Sequence, residues 1–422
     1  MAVEYSLEGR RYYVLGVLWL ANFVFWMSWF MQGPLLAAYW GAHQHVSFGS
    51  AEYLLSGVDI ASIVTALLFG HFYDRLGPKR GAAICQVIIL IGFGLRPFAV
   101  NSFPLMLTLT VIAGLGLPII AAPPPVIARW FGVHRMTYPL LVTLSSFVCG
   151  QAAGLLLGAR MVQYLGARWA FGAMTIAIAV VLLAWLVSVP KGPRFPAGPT
   201  PAHPAPVGSA LRTLAGSPRS WVAFSLGGIY AAIIVFSGSF LPGVLSSTLR
   251  LSPANGGSAA AIVPAAAFFG MFAFAFAINR RGHPVAFGRL TSIVQLLAWA
   301  VFAALWFAGG LSTPTALILL AVFGFCYQAC FGLGLHRIED SAGVGADTTG
   351  VAAGFYFTGV SIGGYVLPTI LAHVVDATSA KAGFIGLGIL FVIGAALWAF
   401  SREAGPADRH AVAREANAAT AP

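Results

Sequence analysis

The amino-acid sequence predicts an all-α membrane protein with twelve transmembrane helices in two pseudo-symmetric six-helix bundles. Hydrophobic residues make up 59% of its 422 residues and charged residues only 8%, too few to cover the surface of a soluble globule. A membrane-spanning helix needs about 20 mostly apolar residues, so a chain of this length has room for about a dozen. A proline-rich segment near the middle divides the apolar runs into six and six.

The apolar runs lie between turn and charge signals. The first six are predicted near residues 12–38, 50–70, 81–100, 104–127, 138–159 and 169–189, and the second six near 221–244, 257–278, 285–308, 313–335, 348–373 and 379–400. The first run lacks a small-residue cleavage site and further spans follow it at once, which indicates a retained span rather than a signal peptide.

These runs predict four regions of the chain. An N-terminal bundle occupies residues 1–189, a cytoplasmic linker 190–218, a C-terminal bundle 219–400 and a polar cytoplasmic tail 401–422. The linker contains eight prolines, which remove backbone donors and fix φ, so it is predicted to be extended and not helical.

Basic residues indicate the orientation of the chain. The formal net charge is +11, but the lysines and arginines are scattered through short loops and form no patch with interleaved aromatic residues, which argues against nucleic acid as a partner. With the N-terminus inside, most of them fall in inner loops, as the positive-inside rule requires. We therefore expect a multi-pass protein of the cytoplasmic (inner) membrane with both termini cytoplasmic.

The sequence offers no chemistry for an enzyme. All four cysteines fall inside apolar segments, where a thiol packs like a small hydrophobe, and Cys326 and Cys330 have no further ligand fixed beside them. No nucleotide-binding loop or nucleophile constellation occurs either. We expect no catalytic activity, no metal and no cofactor.

One loop carries a recognisable motif. Gly70, Asp74, Arg75, Gly77 and Arg80 follow the second predicted span, and residues 279–284 after the eighth form a degraded copy with Asn279 where an acid is expected. The first loop resembles the signature loop of the major facilitator superfamily. The resemblance implies that these five residues form a conformational latch of the outward-facing state; the alternative is an ordinary positive inner loop.

The same resemblance implies a monomer that works by alternating access, with the solute held between the two halves. The run Pro123 to Phe131, together with Arg96, is also similar to the haem and choline transporter-like branch and to nitrate porters. The branch of the superfamily stays open.

In this architecture spans 1, 4, 7 and 10 enclose the solute. None of the four has an arginine or lysine at its middle, so a buried anion would lack a cationic partner. Aromatic residues of span 1 recur at helical spacing and predict a wall on one face. The candidate substrate-binding residues are Asn22, Trp26, Phe30, Tyr230, Tyr327 and Gln328. The alternative is that these aromatic and polar side chains only pack or join helices.

Asp59 is the one acid that the sequence places near the middle of a span. It is expected either to bind a proton that drives solute movement or to form a buried ion pair with Arg96 of the next span. Glu52 is placed just beyond the first outer loop. Glycines of spans 5 and 11, among them Gly154 and Gly363, are expected to let the two halves approach.

Together these observations predict a secondary transporter for a small neutral, cationic or amphipathic organic solute, with proton coupling left open. Its partners would be the solute, the lipid bilayer and, if coupled, protons. One alternative is a porter for monocarboxylate or nitrate-type anions that uses Arg96 or an arginine at the end of a span. An alternative of another class is a membrane receptor or assembly factor that transports nothing.

Overall fold

The computed structural model describes residues 2–66, 76–131, 137–190, 207–281, 283–339 and 349–401. Within these ranges the chain is helical and contains no strand. The predicted all-α membrane fold is therefore confirmed.

The N-terminal half contains six membrane segments. These are α1 (Ala2–Phe30), α2 (Phe48–Ala66), α3 (Pro78–Gly94), α4 (the α-helices Phe103–Gly114 and Pro123–Phe131, with the 3-10 segment Leu117–Ala121 between them), α5 (Thr137–Leu165) and α6 (Ala167–Ser188). A π-helical segment, Leu36–Gly41, follows α1, so the first helix ends earlier than predicted.

The C-terminal half repeats this order. Its segments are α7 (Pro218–Thr248), α8 (Pro253–Ala260 and Ile262–Arg281), α9 (Pro284–Phe307), α10 (Thr313–Glu339), α11 (Thr349–Ala377) and α12 (Ala380–Phe400).

Ten helices in the described ranges are long and apolar enough to cross a membrane. The other two predicted spans are α2 and α4. Two acids, Glu52 and Asp59, lower the hydropathy of α2. Pro118 and Pro123 have no amide N–H to donate, and α4 changes to 3-10 geometry between them.

Glycines join equivalent helices in each half. A Cβ on Gly154 of α5 would lie 2.7 Å from the Met27 carbonyl oxygen of α1, and one on Gly363 of α11 would lie 2.2 Å from the Gly228 carbonyl oxygen of α7. The expectation that these glycines join the two halves is wrong, because α5 packs on α1 and α11 on α7 inside their own halves. This matched packing reflects the internal repeat.

The two halves meet through α2 with α11 and through α5 with α8. The closest backbone approaches between them are Gly33 to Gly238 and Gly257 to Leu155, where an added Cβ would lie 2.2 and 2.6 Å from the opposing carbonyl oxygen. These contacts lie towards the end of the bundle away from the N-terminus, and we call them the distal interface.

The predicted extended linker is only partly described. Residues 191–206 lie outside the described ranges, and Val207–Gly216 forms a helix. The prediction is wrong for this helix because no proline occurs between Pro206 and Pro218, so every amide from Val207 to Ser217 can donate.

Candidate functional site

A cavity of about 510 Å³ lies between the two halves. The N-terminal half lines it with Asn22, Trp26, Trp29, Asp59, Leu117, Ile120, Pro123, Leu140, Leu141, Thr143, Leu144, Ser146 and Phe147. The C-terminal half lines it with Ala231, Ile234, Val235, Met271, Phe274, Ala275, Ile278, Gln328, Phe331, Gly332, Leu333, Phe357 and Val360. In α5, α8, α10 and α11 these residues lie towards the end where the chain begins, opposite the distal interface.

Aromatic rings form much of the wall on the N-terminal half. Trp26 stacks on Trp29 with ring centroids 4.8 Å apart and meets Phe147 of α5 edge-on at 4.1 Å. Phe147 in turn lies 6.4 Å from Phe331 of α10, so the ring cluster crosses from one half to the other. The cavity is therefore a largely apolar chamber whose aromatic faces come from both halves.

Three of the six predicted substrate-binding residues line this cavity. They are Asn22, Trp26 and Gln328. The remaining three, Phe30, Tyr230 and Tyr327, are fully buried behind the wall. Phe30 packs against Gly238 at the distal interface, and Tyr327 donates a hydrogen bond to Gln151 Oε1 at 2.8 Å. Tyr230 packs against α12, where a Cβ on Gly394 would lie 3.3 Å from the tyrosine hydroxyl oxygen. In this structure these three side chains pack between helices.

Asp59 lines the cavity from α2. Its carboxylate also packs against α11, where a Cβ on Gly364 would lie 2.6 Å from Asp59 Oδ2. Oδ2 has no hydrogen-bond partner among the described residues. Glycine at position 364 thus leaves the space that this carboxylate occupies at the boundary between the halves.

Arg96 does not pair with Asp59. Its Nη1 donates to the Ser28 carbonyl oxygen at 2.7 Å and its Nη2 to Thr110 Oγ1 at 2.9 Å. Its guanidinium carbon lies 3.9 Å from the centroid of the Phe93 ring. The predicted ion pair is therefore not formed, because the guanidinium turns into the N-terminal bundle and bridges α1 and α4.

The other polar groups of the wall are mostly satisfied within their own helices. Asn22 Nδ2 donates to the Leu18 carbonyl oxygen, Thr143 to Pro139 and Ser146 to Thr143. Gln328 Oε1, like Asp59 Oδ2, has no partner in the part of the chain that is described. The two unpartnered atoms are both hydrogen-bond acceptors.

Gly70, Asp74 and Arg75 of the predicted latch lie outside the described residues. Gly77 adopts φ 74° and ψ 154° immediately before Pro78, a backbone conformation that favours glycine. Arg80 is exposed in the first turn of α3.

Sequence reasoning missed several wall residues. Thr143, Ser146 and Phe147 come from α5, and Phe274 from α8, neither of which was expected to enclose the cavity. Local spacing contains no signal for them, because their exposure to the cavity depends on how α5 and α8 cross between the halves.

Comparison with known proteins identifies the family of this chain. The family model described as Major Facilitator Superfamily matches residues 18–364. This chain belongs to that superfamily. It is thus a multi-pass membrane transporter of the Major Facilitator Superfamily and not an enzyme.

Solved structures of the superfamily share the fold. A D-xylose-proton symporter superposes with a TM-score of 0.71 at 16% identity, over 94% of this chain and 99% of that chain. A point mutant of the nucleoside transporter NupG gives a TM-score of 0.68 at 16% identity, over 92% and 100%. Among curated proteins, none has a sequence that matches this chain. At these identities the likeness extends to the fold alone.

Proposed function

We propose that this Major Facilitator Superfamily transporter moves a small neutral or cationic organic solute across the cytoplasmic membrane by alternating access, with Asp59 as its proton-binding group. The observation that carries the proposal is the position of Asp59, a carboxylate that lines the cavity and has no basic partner among the described residues. An ionisable group inside a membrane bundle is costly, which favours a role in binding or coupling.

The charge of the cavity supports this choice of solute. No lysine, arginine or histidine occurs among the described residues that line it. An anion would therefore lose its hydration without gaining a counter-charge, whereas a cation would gain Asp59 and the faces of Trp26 and Trp29. Arg96, one of the arginines that the anion-porter alternative could use, bonds to Ser28 and Thr110 inside the N-terminal bundle.

The unpartnered acceptors support a solute with donors. Asp59 Oδ2 and Gln328 Oε1 lie on opposite halves and lack hydrogen-bond partners among the described residues. Hydroxyl or ammonium groups of a solute would satisfy both. The volume of about 510 Å³ falls within the range of roughly 300–1,000 Å³ typical of small-molecule sites.

Orientation and coupling follow from the same proposal. If the positive-inside rule places both termini in the cytoplasm, the distal interface closes the outer side and the cavity lies towards the cytoplasm. One structural relative is by its title a proton symporter, and Asp59 would give this chain a group for such coupling. Because both walls of the cavity come from one chain, we propose a monomer. We also keep the 70–80 loop as a proposed latch.

Transport into vesicles tests the proposal. Purified protein in proteoliposomes is offered a panel of organic cations, polyols, zwitterions and carboxylates, with and without an inward proton gradient. We expect the gradient to drive accumulation of a cationic or neutral solute. Asp59→Asn should lose accumulation but retain exchange of that solute. Asp376→Asn alters an acid of α11 outside the cavity wall and keeps an amide oxygen that can accept from the Gly49 amide, so this variant should still accumulate the solute.

The other outcomes separate the alternatives. Accumulation of carboxylates or nitrate alone would contradict the proposed solute class. Unaltered accumulation in Asp59→Asn would remove the proton role. If the protein binds a solute in a thermal-shift assay but transports none, the alternative of a membrane receptor or assembly factor is favoured.

A further inference from the structure

Glu52 is a second buried acid on α2. Its side chain has no exposed surface, and it lies seven residues before Asp59, about two helical turns closer to the distal end. Unlike Asp59 it does not line the cavity between the halves. Sequence reasoning placed it beyond a loop, whereas the structure places it inside the distal interface.

Among the described residues, Glu52 has no ion-pair or hydrogen-bond partner. Its carboxyl faces the Ser239 side chain of α7, whose hydroxyl donates instead to the Phe236 carbonyl oxygen at 3.0 Å. Neither Glu52 Oε1 nor Oε2 has a hydrogen-bond partner among the described residues. The carboxyl group is therefore enclosed by both halves and bonded to neither.

Among the described residues, titratable groups of α11 and α2 also lie at this interface. Tyr365 and His373 contact the Tyr53 ring, and Asp376 accepts a hydrogen bond from the Gly49 amide at 2.7 Å. His373 Nδ1 lies 2.8 Å from the Thr369 carbonyl oxygen. Asp376 is another carboxylic acid and cannot supply a positive charge to Glu52.

We propose that Glu52 is a proton-binding group of the distal interface, protonated while this interface is closed and ionised when the halves separate and water reaches it. The argument is one of solvation. A carboxylate that is enclosed without a partner costs several kcal/mol, so closure over Glu52 favours the neutral acid. Each closure would take up one proton, as carboxylate and proton combine to the acid.

This inference rests on the alternating access of the proposed function but not on the identity of the solute. It gives the protein two proton-binding acids with different tasks. Asp59 lies where a solute would bind, and Glu52 lies where the opposite side of the path closes. Closure would then depend on pH even when no solute is present.

Distances between spin labels test this without a solute. Asn101→Cys and Ser312→Cys place labels on exposed distal loops of the two halves, in a chain whose four native cysteines are replaced by alanine. Double electron–electron resonance in lipid nanodiscs gives the populations of short and long distances. The measurement is repeated at pH values of about 5 to 9, between the ordinary pKa values of carboxylic acids and of lysine. We expect the long-distance population to grow as the pH rises.

Three variants identify the group that titrates. Glu52→Gln, which resembles the neutral acid, should keep the short distance at every pH. Glu52→Leu should do the same and provides a second measurement if the glutamine variant folds poorly. His373→Asn should retain the pH response of the unaltered protein.

Several results would overturn the inference. These are a pH-independent distance in the unaltered protein, an unchanged pH response in both Glu52 variants, or a response lost in His373→Asn instead. None of them depends on whether solute accumulates in vesicles. The inference and the proposed function can thus fail separately.

Discussion

Tyr327 of α10 donates a hydrogen bond of 2.8 Å to Gln151 of α5, and this bond joins the two halves of the transporter beside the cavity. The neighbouring residue Gln328 points into the cavity instead. Two adjacent residues of one helix therefore have different roles. Tyr327 holds the halves together, and Gln328 is available to a solute.

Removal of the Tyr327 hydroxyl should weaken the contact between the halves without weakening solute binding. Tyr327→Phe leaves Gln151 Oε1 buried without a donor, at a cost of about 1–3 kcal/mol. We expect a lower midpoint of thermal denaturation in detergent and an unchanged Kd for the transported solute. Gln328→Ala should show the reverse pattern. A Tyr327→Phe variant that loses affinity as much as Gln328→Ala would place the tyrosine in the solute site after all.

Gly332 offers a way to fill the cavity from one position. A Cβ built on Gly332 meets no atom within 4 Å, whereas one on Gly324 of the same helix would lie 2.1 Å from the Val263 carbonyl oxygen. Gly332→Leu should therefore keep the denaturation midpoint and weaken solute binding at least tenfold, about 1.4 kcal/mol. Gly324→Leu should instead lower the midpoint. Solute binding that survives Gly332→Leu unchanged would show that the solute lies elsewhere.

Trp26 and Phe30 differ in a way that mutation can reveal. Trp26 lines the cavity, while Phe30 is fully buried against Gly238. Both substitutions by alanine remove a large ring, which typically costs about 3–5 kcal/mol in a packed core. We expect Trp26→Ala to raise the Kd for the solute and Phe30→Ala to lower stability with little change in Kd. Equal effects on Kd, measured by titration calorimetry, would contradict the placement of these rings.

Arg96 should act as a structural bridge. Arg96→Met removes hydrogen bonds to Ser28 and Thr110 and should lower the denaturation midpoint. Thr110→Val removes one of these bonds and should have a smaller effect in the same direction. Neither variant should change the choice between cationic and anionic solutes in the vesicle assay. If the unaltered protein transported an anion and these variants did not, the anion-porter alternative would be supported.

The fold could be predicted from the sequence because each membrane span depends on its own composition. A segment of about 20 apolar residues is favourable in lipid whatever its neighbours are, so ten helices recur where the hydropathy placed them. The exceptions have local causes. Prolines break α4, and the two acids of α2 reduce its hydropathy.

The candidate site could be predicted only in part. Asn22, Trp26, Gln328 and Asp59 were identified as polar or aromatic residues on spans expected near the path, and they line the cavity. Successive residues of a helix differ in direction by about 100°, so Tyr327 and Gln328 could not both face the same space. The rotation of α10 about its axis decides which of the two faces the cavity, and amino-acid composition does not determine that rotation.

The sequence by itself determined that this protein crosses a membrane many times in two matched halves, because hydrophobic burial and loop charge are properties of each segment. Only the tertiary structure decided that Arg96 turns away from Asp59 and that Glu52 is enclosed between the halves. Both outcomes depend on how helices distant in sequence pack around these side chains. Since an ionisable group in a membrane bundle takes its role from the partners that surround it, its place along the chain was not sufficient to assign that role.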